Sequence, residues 1–248
     1  MAGDFGLESN AFRLEVTQQI VLAPLTYSAW YFSTDGSSPD KILMGGYDAS
    51  SLTTRILIRQ ASGTAGDPLL YNSRGPGADV TITSSITPAL NTWNHVAVTD
   101  SGTAQEMWIN GVSAATGTTT TGSRANIDSF SIGAKLAGGT DWAGRIAEPG
   151  AWSRVLSDGE IIGLSKGFTP GCYRNGLVAY WDLIRDLLVR PGFGPALTNT
   201  GPVTVGVHPP GMIYPTRPQI ITVPAAGGGG GTILPQMIQQ GLYAGSAA

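Results

Sequence analysis

One stretch constrains this chain more than any other: Asn91 to Gly111, Asn-Thr-Trp-Asn-His-Val-Ala-Val-Thr-Asp-Ser-Gly-Thr-Ala-Gln-Glu-Met-Trp-Ile-Asn-Gly. It predicts two short strands, about Trp93 to Thr99 and Gln105 to Asn110, joined by the turn residues Asp100-Ser101-Gly102-Thr103. Asn110-Gly111 predicts a second tight reversal, because both residue types tolerate the positive φ of a two-residue hairpin turn. Alternate residues of a strand share a face. Asn94, Val96 and Val98 therefore lie on one face, and Trp93, His95, Ala97 and Thr99 on the other. On the return strand Met107 and Ile109 share a face opposite Glu106 and Trp108. Both faces of the first strand are apolar enough for a strand inside a two-layer sandwich. The rest of the chain is expected to pair with this hairpin or pack across from it.

Strand signals run through most of the sequence. Met1 to Ala11 reads as a lead-in, and Phe12 to Val21 as one or two strands. Leu25 to Ser33, Lys41 to Gly46, and Thr53 to Gln60 follow, the last with Thr54, Ile56 and Ile58 on one side and Arg55, Leu57 and Arg59 on the other. Asp48-Ala49-Ser50-Ser51 is turn chemistry. Weaker strands fall near Leu69 to Asn72 and Val80 to Ser84. After the hairpin come Val112 to Thr118, Ser129 to Gly133 and Gly144 to Trp152. Ser157-Asp158-Gly159-Glu160 has the form of a capping box, and Gly167 stands where a C-terminal cap belongs, so one short helix is predicted between them. Leu177 to Leu183, Ala196 to Thr198 and Val203 to Val207 are further strands.

Composition supports this reading and excludes several functions. Charged residues make up 12% of the 248, against roughly 25% in an average soluble protein. With 35 glycines, this suits a turn-rich β chain or a subunit covered by neighbours. Net charge is −3 with no basic run, so nucleic acid has no electrostatic footprint here. No apolar run approaches the length of a membrane span. The single cysteine, Cys172, permits no internal disulfide. The first residues lack the basic and apolar blocks of a signal peptide. The expectation is folding in a reducing cytoplasm.

Three motifs give the chain a family likeness. Asn91–Thr99 followed by Met107–Gly111, Ser131–Gly133 leading to Trp142–Glu148, and Trp152–Ile161 (Trp-Ser-Arg-Val-Leu-Ser-Asp-Gly-Glu-Ile) resemble, in order and spacing, the laminin-G-like domains of the concanavalin-A-like jelly-roll superfamily. The likeness covers roughly Leu25 to Gly167. It implies an all-β fold: a two-sheet antiparallel jelly-roll sandwich with one short helix. Residues 1–208 are assigned to this sandwich, with 177–208 as completing strands. Where the family usually has Asp-Glu-Val, this chain has Ala147-Glu148-Pro149. A proline there removes a ladder donor and predicts an edge or a bulge.

A fold of this kind can host several chemistries. Glycoside hydrolysis needs two carboxylates facing across a cleft. The superfamily's hydrolases carry them on one strand as Glu-x-Asp-x-x-Glu, and none of Glu8, Glu15, Glu106, Glu148 and Glu160 stands in that pattern. Glu160 is explained as a helix cap. A hydrolase is the weakest reading, and no catalytic residue is assigned. Calcium wants six to eight oxygen ligands. Asp35, Asp40, Asp48 and Asp141 are scattered turn residues, so calcium is admitted by the fold but not required, and no metal or cofactor site is assigned. His95 is expected to make a structural hydrogen bond. His208 stands in a linker beside Pro209, and Cys172 reads as a small filler. The six tryptophans are expected mainly in the core, with a glycan-stacking platform as the alternative.

The C-terminal 40 residues, 209–248, form a separate Pro/Gly-rich arm. From Pro218 to Ala248 it has no charged residue, yet it carries Ile220, Ile221, Val223, Ile233, Leu234, Met237, Ile238, Leu242 and Tyr243. Disordered tails are usually charged and poor in such residues. These nine are therefore assigned to docking on other protein subunits, by strand addition or similar means. Low charge, no disulfide, no leader and an adhesive arm together imply a non-enzymatic structural subunit. The expected context is a homo-oligomer in a bacteriophage virion, as capsid decoration or tail component. The alternative is a lectin-like module that binds a cell-surface glycan.

Overall fold

The computed structural model describes residues 2–5, 13–34, 41–61, 68–77, 79–136, 141–183, 194–201 and 203–215. The chain divides into two units, Met1–Tyr214 and Pro215–Ala248, and every element below belongs to the first. The nine assigned arm residues, Asp35 and Asp40 lie outside the described residues.

In chain order the strands are β1 Ala2–Phe5, β2 Arg13–Val16, β3 Leu25–Ser33, β4 Lys41–Tyr47, β5 Arg55–Gln60, β6 Leu69–Arg74, β7 Val80–Thr83 and β8 Trp93–Asp100. They continue as β9 Gln105–Ile109, β10 Val112–Gly117, β11 Ser129–Ile132, β12 Gly144–Trp152, β13 Leu177–Tyr180, β14 Thr198–Thr200 and β15 Thr204–Gly206. One sheet of eight has the order β10-β9-β8-β3-β12-β1-β15, with β13 also on β12; the other has β14-β2-β11-β4-β5-β6-β7. The result is the expected two-sheet antiparallel sandwich.

The central hairpin behaves as its alternation predicts. Val96 pairs with Ile109 and Val98 with Met107, and all four are buried in the inter-sheet core. Ile56, Ile58, Tyr71, Phe130 and Ile132 face them from the seven-stranded sheet. Trp181 stacks on Phe130 at 5.7 Å, and Tyr31 meets Trp142 edge to face at 5.5 Å. The β9–β10 reversal takes φ 52° at Asn110 and 80° at Gly111, the two positive values of a type I′ turn.

The opposite face of the eight-stranded sheet carries the helix, α1, Asp158–Ser165. Ser157 and Glu160 form the complete capping box. Gly167 takes φ 97°, and the Phe168 N–H reaches back to Gly163 O at 3.2 Å, a Schellman-type end. Ile161 and Leu164 pack on Ala97, Trp108 and Trp152.

Two expectations need correction at the N-terminal end. Ala2–Phe5 is not a lead-in: its backbone pairs with β12 (Gly3 with Ile146) and with β15 (Gly3 with Val205). Such a short, glycine-containing strand has no alternation to read, and partners far along the chain determine it. Of Phe12 to Val21, only Arg13–Val16 is described as strand. The bulge expected at Pro149 is present, as a register shift of β12 against β3 between Ala147 and Gly150.

Candidate functional site

A shallow concavity lies on the outer face of the seven-stranded sheet. The β4–β5 connection, residues 48–54, rises beside a recess of about 370 Å³ lined by Glu15, Val16, Thr17, Ala49, Leu52, Ser129 and Leu136. Leu52 and Leu136 of this lining pack against a small buried apolar cluster of Ile42, Tyr47 and Leu57. A second recess of about 420 Å³, to which the same connection contributes Thr53 and Thr54, is also lined by Arg74, Gly75, Pro76, Gly77 and Asp79.

Two carboxylates shape the connection. Asp48 Oδ1 accepts from Ser50 N at 2.9 Å and Ser50 Oγ at 2.6 Å, and Oδ2 accepts from Ser51 Oγ at 2.8 Å. These hydroxyl bonds, Ser50 first and Ser51 next, lower the Asp48 pKa. Asp128 Oδ1 accepts from Ala49 N at 2.9 Å and Ser129 Oγ at 3.0 Å. Leu52 donates its N–H to Asp48 O at 2.7 Å. The turn chemistry of Asp48-Ala49-Ser50-Ser51 was legible in sequence; that it borders a recess was not.

Glu15 supplies the recess with its one carboxylate. Oε2 accepts from Arg13 Nε at 2.5 Å and Oε1 from Thr200 Oγ1 at 3.1 Å. The lining therefore combines a carboxylate, the hydroxyls of Thr17 and Ser129, and the apolar walls of Val16, Leu52 and Leu136. This mixture suits a small polyhydroxylated ligand with an apolar face. Paired-carboxylate hydrolysis lacks its second member among these lining residues.

The residues weighed in the sequence take other places. Trp142, Trp152 and Trp181 are fully buried and Trp108 nearly so. Trp30 and Trp93 are half-buried on the outer face of the eight-stranded sheet. There Trp93 meets Phe32 edge to face at 5.8 Å, and the Arg145 guanidinium covers the Phe32 ring at 5.1 Å. None of the tryptophans lines the recess. His95 Nε2 lies 2.8 Å from Ser28 Oγ. This resembles a nucleophile–base pair, but His95 is 1% exposed and its Nδ1 has no partner. Burial pushes its pKa down to about 3, so the imidazole is neutral and walled off: a structural bond. Glu160 pairs with Arg154 at 2.5 and 2.8 Å. That bond is the first cause of a pKa pushed down to about 2.

Glu148 is the unexpected residue. It sits in the β12 bulge with φ 54° and is 1% exposed. Tyr180 Oη donates to it at 2.5 Å and Tyr214 Oη at 2.8 Å. His208 Nε2 lies 2.8 Å from Oε1. His208, read as a linker residue, is thus held against the sheet. Burial raises the Tyr180 pKa, which keeps the hydroxyl protonated as a donor. Among the described residues no group of three or more His, Cys, Asp or Glu is placed to hold a metal ion, and no helix is long and apolar enough to cross a membrane.

Residues 8–162 match the model of the laminin-G-type family described as the concanavalin A-like lectin/glucanases superfamily. The chain belongs to that superfamily. No curated protein matches it in sequence. Among solved structures it is similar to a candidate carbohydrate-binding protein of Bacteroides ovatus, with TM-score 0.59 and 18% identity over 82% of this chain and 58% of that one. It is also similar to the heptameric SAP-like pentraxin of Limulus polyphemus, with TM-score 0.54 and 15% identity over 66% of this chain and 80% of that one. A third is the CBM40 module of a Ruminococcus gnavus IT-sialidase bound to α2,3-sialyllactose, with TM-score 0.52 and 14% identity over 66% of this chain and 97% of that one. At these identities the likeness establishes the shared fold.

Proposed function

We propose that this chain is a non-catalytic glycan-binding module whose ligand seats in the recess beside residues 48–54. The observation that carries the reading is the lining itself: Glu15 and Thr17 offer polar groups to sugar hydroxyls, beside the apolar walls of Leu52 and Leu136. Its size suits one or two sugar rings. Carbohydrate-binding neighbours of the same fold lend support by analogy. The test is a glycan array with the wild-type chain and Glu15→Gln. Hydrogen bonds to a charged group contribute about 1.5–3 kcal/mol, so the variant should bind roughly 10- to 100-fold more weakly to whatever the wild type selects. A wild type that selects no glycan sinks the reading.

A second reading rests on the sequence from Pro218 to Ala248, uncharged and rich in apolar residues. In it the module is a subunit of a larger assembly, such as a bacteriophage virion, and glycan recognition serves attachment. Detection of the chain in purified particles by mass spectrometry tests this; its absence from them counts against it.

A further inference from the structure

The sequence holds two Asn-Gly pairs, Asn110-Gly111 and Asn175-Gly176. Asparagine is a thermolabile residue, and a following glycine leaves it most open to attack: with no Cβ, nothing shields the glycine nitrogen from the asparagine Cγ. The structure treats the two pairs differently. In the β9–β10 reversal the Asn110 side chain is clamped. Its Oδ1 accepts from His95 N at 2.7 Å, and its Nδ2 donates to Asn94 Oδ1 at 3.0 Å. Cγ cannot turn onto Gly111 N without breaking both bonds. Asn175 has no such hold. It is exposed in the connection between the helical turn Pro170–Cys172 and β13. Leu177 N–H donates to Arg174 O at 3.1 Å, which makes Asn175 and Gly176 the central pair of a β-turn, and Gly176 takes φ 70°. Neighbouring groups hold the two carbonyls: Arg154 Nε donates to Asn175 O at 2.7 Å and Ser153 N to Gly176 O at 2.8 Å. Neither bond engages Asn175 Cγ or Gly176 N. Among the described residues the Asn175 side chain makes no hydrogen bond.

We propose that Asn175 is a site of spontaneous deamidation, which the clamped Asn110 escapes. Gly176 N gives its proton to solvent base and attacks Asn175 Cγ. The new C–N bond closes a five-membered succinimide, and the Cγ–Nδ2 bond breaks as ammonia leaves. Water then opens the ring. Opening at Cγ leaves aspartate, and opening at the main-chain carbonyl leaves isoaspartate. The net exchange is water for ammonia, with no oxidant or reductant. Either product adds one negative charge to a chain of net charge −3. In isoaspartate the oxygen that already accepts from Arg154 Nε becomes part of the free carboxylate, so a neutral acceptor turns into a charged one. Arg154 also binds Glu160 of the helix cap at 2.5 and 2.8 Å, and the modification gives it a second anionic partner. The isoaspartate backbone also carries an extra methylene between Arg174 and Gly176, at the entry to β13.

The test is peptide mapping by mass spectrometry on the full-length chain, stored folded in mildly alkaline buffer and, in parallel, in denaturant. In the folded chain the peptide holding Asn175-Gly176 is expected to gain one mass unit, and methyl transfer by an isoaspartyl methyltransferase should report the isoaspartate. Asn110 must first give up two hydrogen bonds, which retards it roughly 10- to 100-fold against Asn175. In denaturant the two pairs should convert at similar rates, which assigns the folded-state difference to the structure. Asn175→Gln, an exposed substitution, should abolish the mass gain at this peptide. A folded chain in which the Asn175 peptide keeps its mass overturns the proposal. So does a folded chain in which Asn110 converts as fast as Asn175.

Discussion

The Tyr214 hydroxyl donates to the Glu148 carboxylate at 2.8 Å, tying the last residues of the sandwich unit to the bulge of β12. Glu148 is nearly sealed from water and also receives Tyr180 Oη at 2.5 Å. A buried carboxylate is tolerable because donors surround it; removing one partner leaves the rest uncompensated. Tyr214→Phe is expected to cost about 1 kcal/mol. Glu148→Leu leaves two hydroxyls facing an apolar group and should cost about 3 kcal/mol. For a unit of this size each kcal/mol lowers the melting temperature by about 2–4 °C. Calorimetry of both variants checks the ordering; equal stability in wild type and Glu148→Leu overturns the account.

The Asn110-Gly111 turn gives a backbone prediction. Gly111 has φ 80°, and a Cβ there collides with Ser165 Oγ. Gly111→Ala should destabilise by about 1–3 kcal/mol. Adding Ser165→Gly should recover the steric share and leave the strain share. A chemical denaturation series of the two variants separates them; no recovery in the double variant puts the whole cost in the backbone.

Much of this region was readable before any coordinates. The residue alternation of β5, β8 and β9, the turn at Asn110-Gly111, the capping box of α1 and the bulge at Pro149 depend on neighbours within a few positions. The sequence shows such neighbours directly. Strand β1 depends on β12 and β15, and the Glu148 cluster on hydroxyls 32 and 66 residues away. No local pattern announces such partners. The recess was equally hidden. Glu15, Ala49, Ser129 and Leu136 come from four separate stretches, and each looks ordinary in its own.

His95 makes stability depend on acidity. Its pKa in the folded chain is pushed down to about 3 by burial, from 6.5. Between those values the unfolded chain binds a proton that the folded chain excludes. The contribution is therefore fully present above pH 6.5 and is lost as pH falls toward 3. Its full size is on the order of 5 kcal/mol. The imidazole resonances should not titrate between pH 5 and 8 in the folded protein, and His95→Gln should flatten the fall in stability over the same acid range. An imidazole resonance that is missing in His95→Gln and titrates near pH 6.5 in the native state refutes the assignment.

Glu160 works in a lower window. The Arg154 bond holds its pKa at about 2 against 4.5, so the stabilisation is present above pH 4.5 and disappears as pH falls toward 2. Both side chains are partly solvent-exposed, and solvent screening reduces the effect to about 0.5–1 kcal/mol. Glu160→Gln should lower the melting temperature by a few degrees at pH 7 and by progressively less as the pH drops below 4. A difference that stays constant with pH assigns the loss to the cap hydrogen bonds alone.

Blocking the recess tests the binding site without disturbing the core. Ala49 is exposed at its rim, and its N–H, not its side chain, makes the bond to Asp128. Ala49→Phe keeps that bond and puts a ring into a space of about 370 Å³. Surface substitutions away from buried partners change stability by no more than about 0.5 kcal/mol, so the melting temperature should hold while glycan binding is lost. Trp93→Ala, on the other sheet, serves as the counter-test: it should leave binding intact. If Trp93→Ala abolishes binding and Ala49→Phe does not, the ligand sits on the half-buried aromatic row of Trp30, Phe32 and Trp93, and the site moves to the helix side of the sandwich.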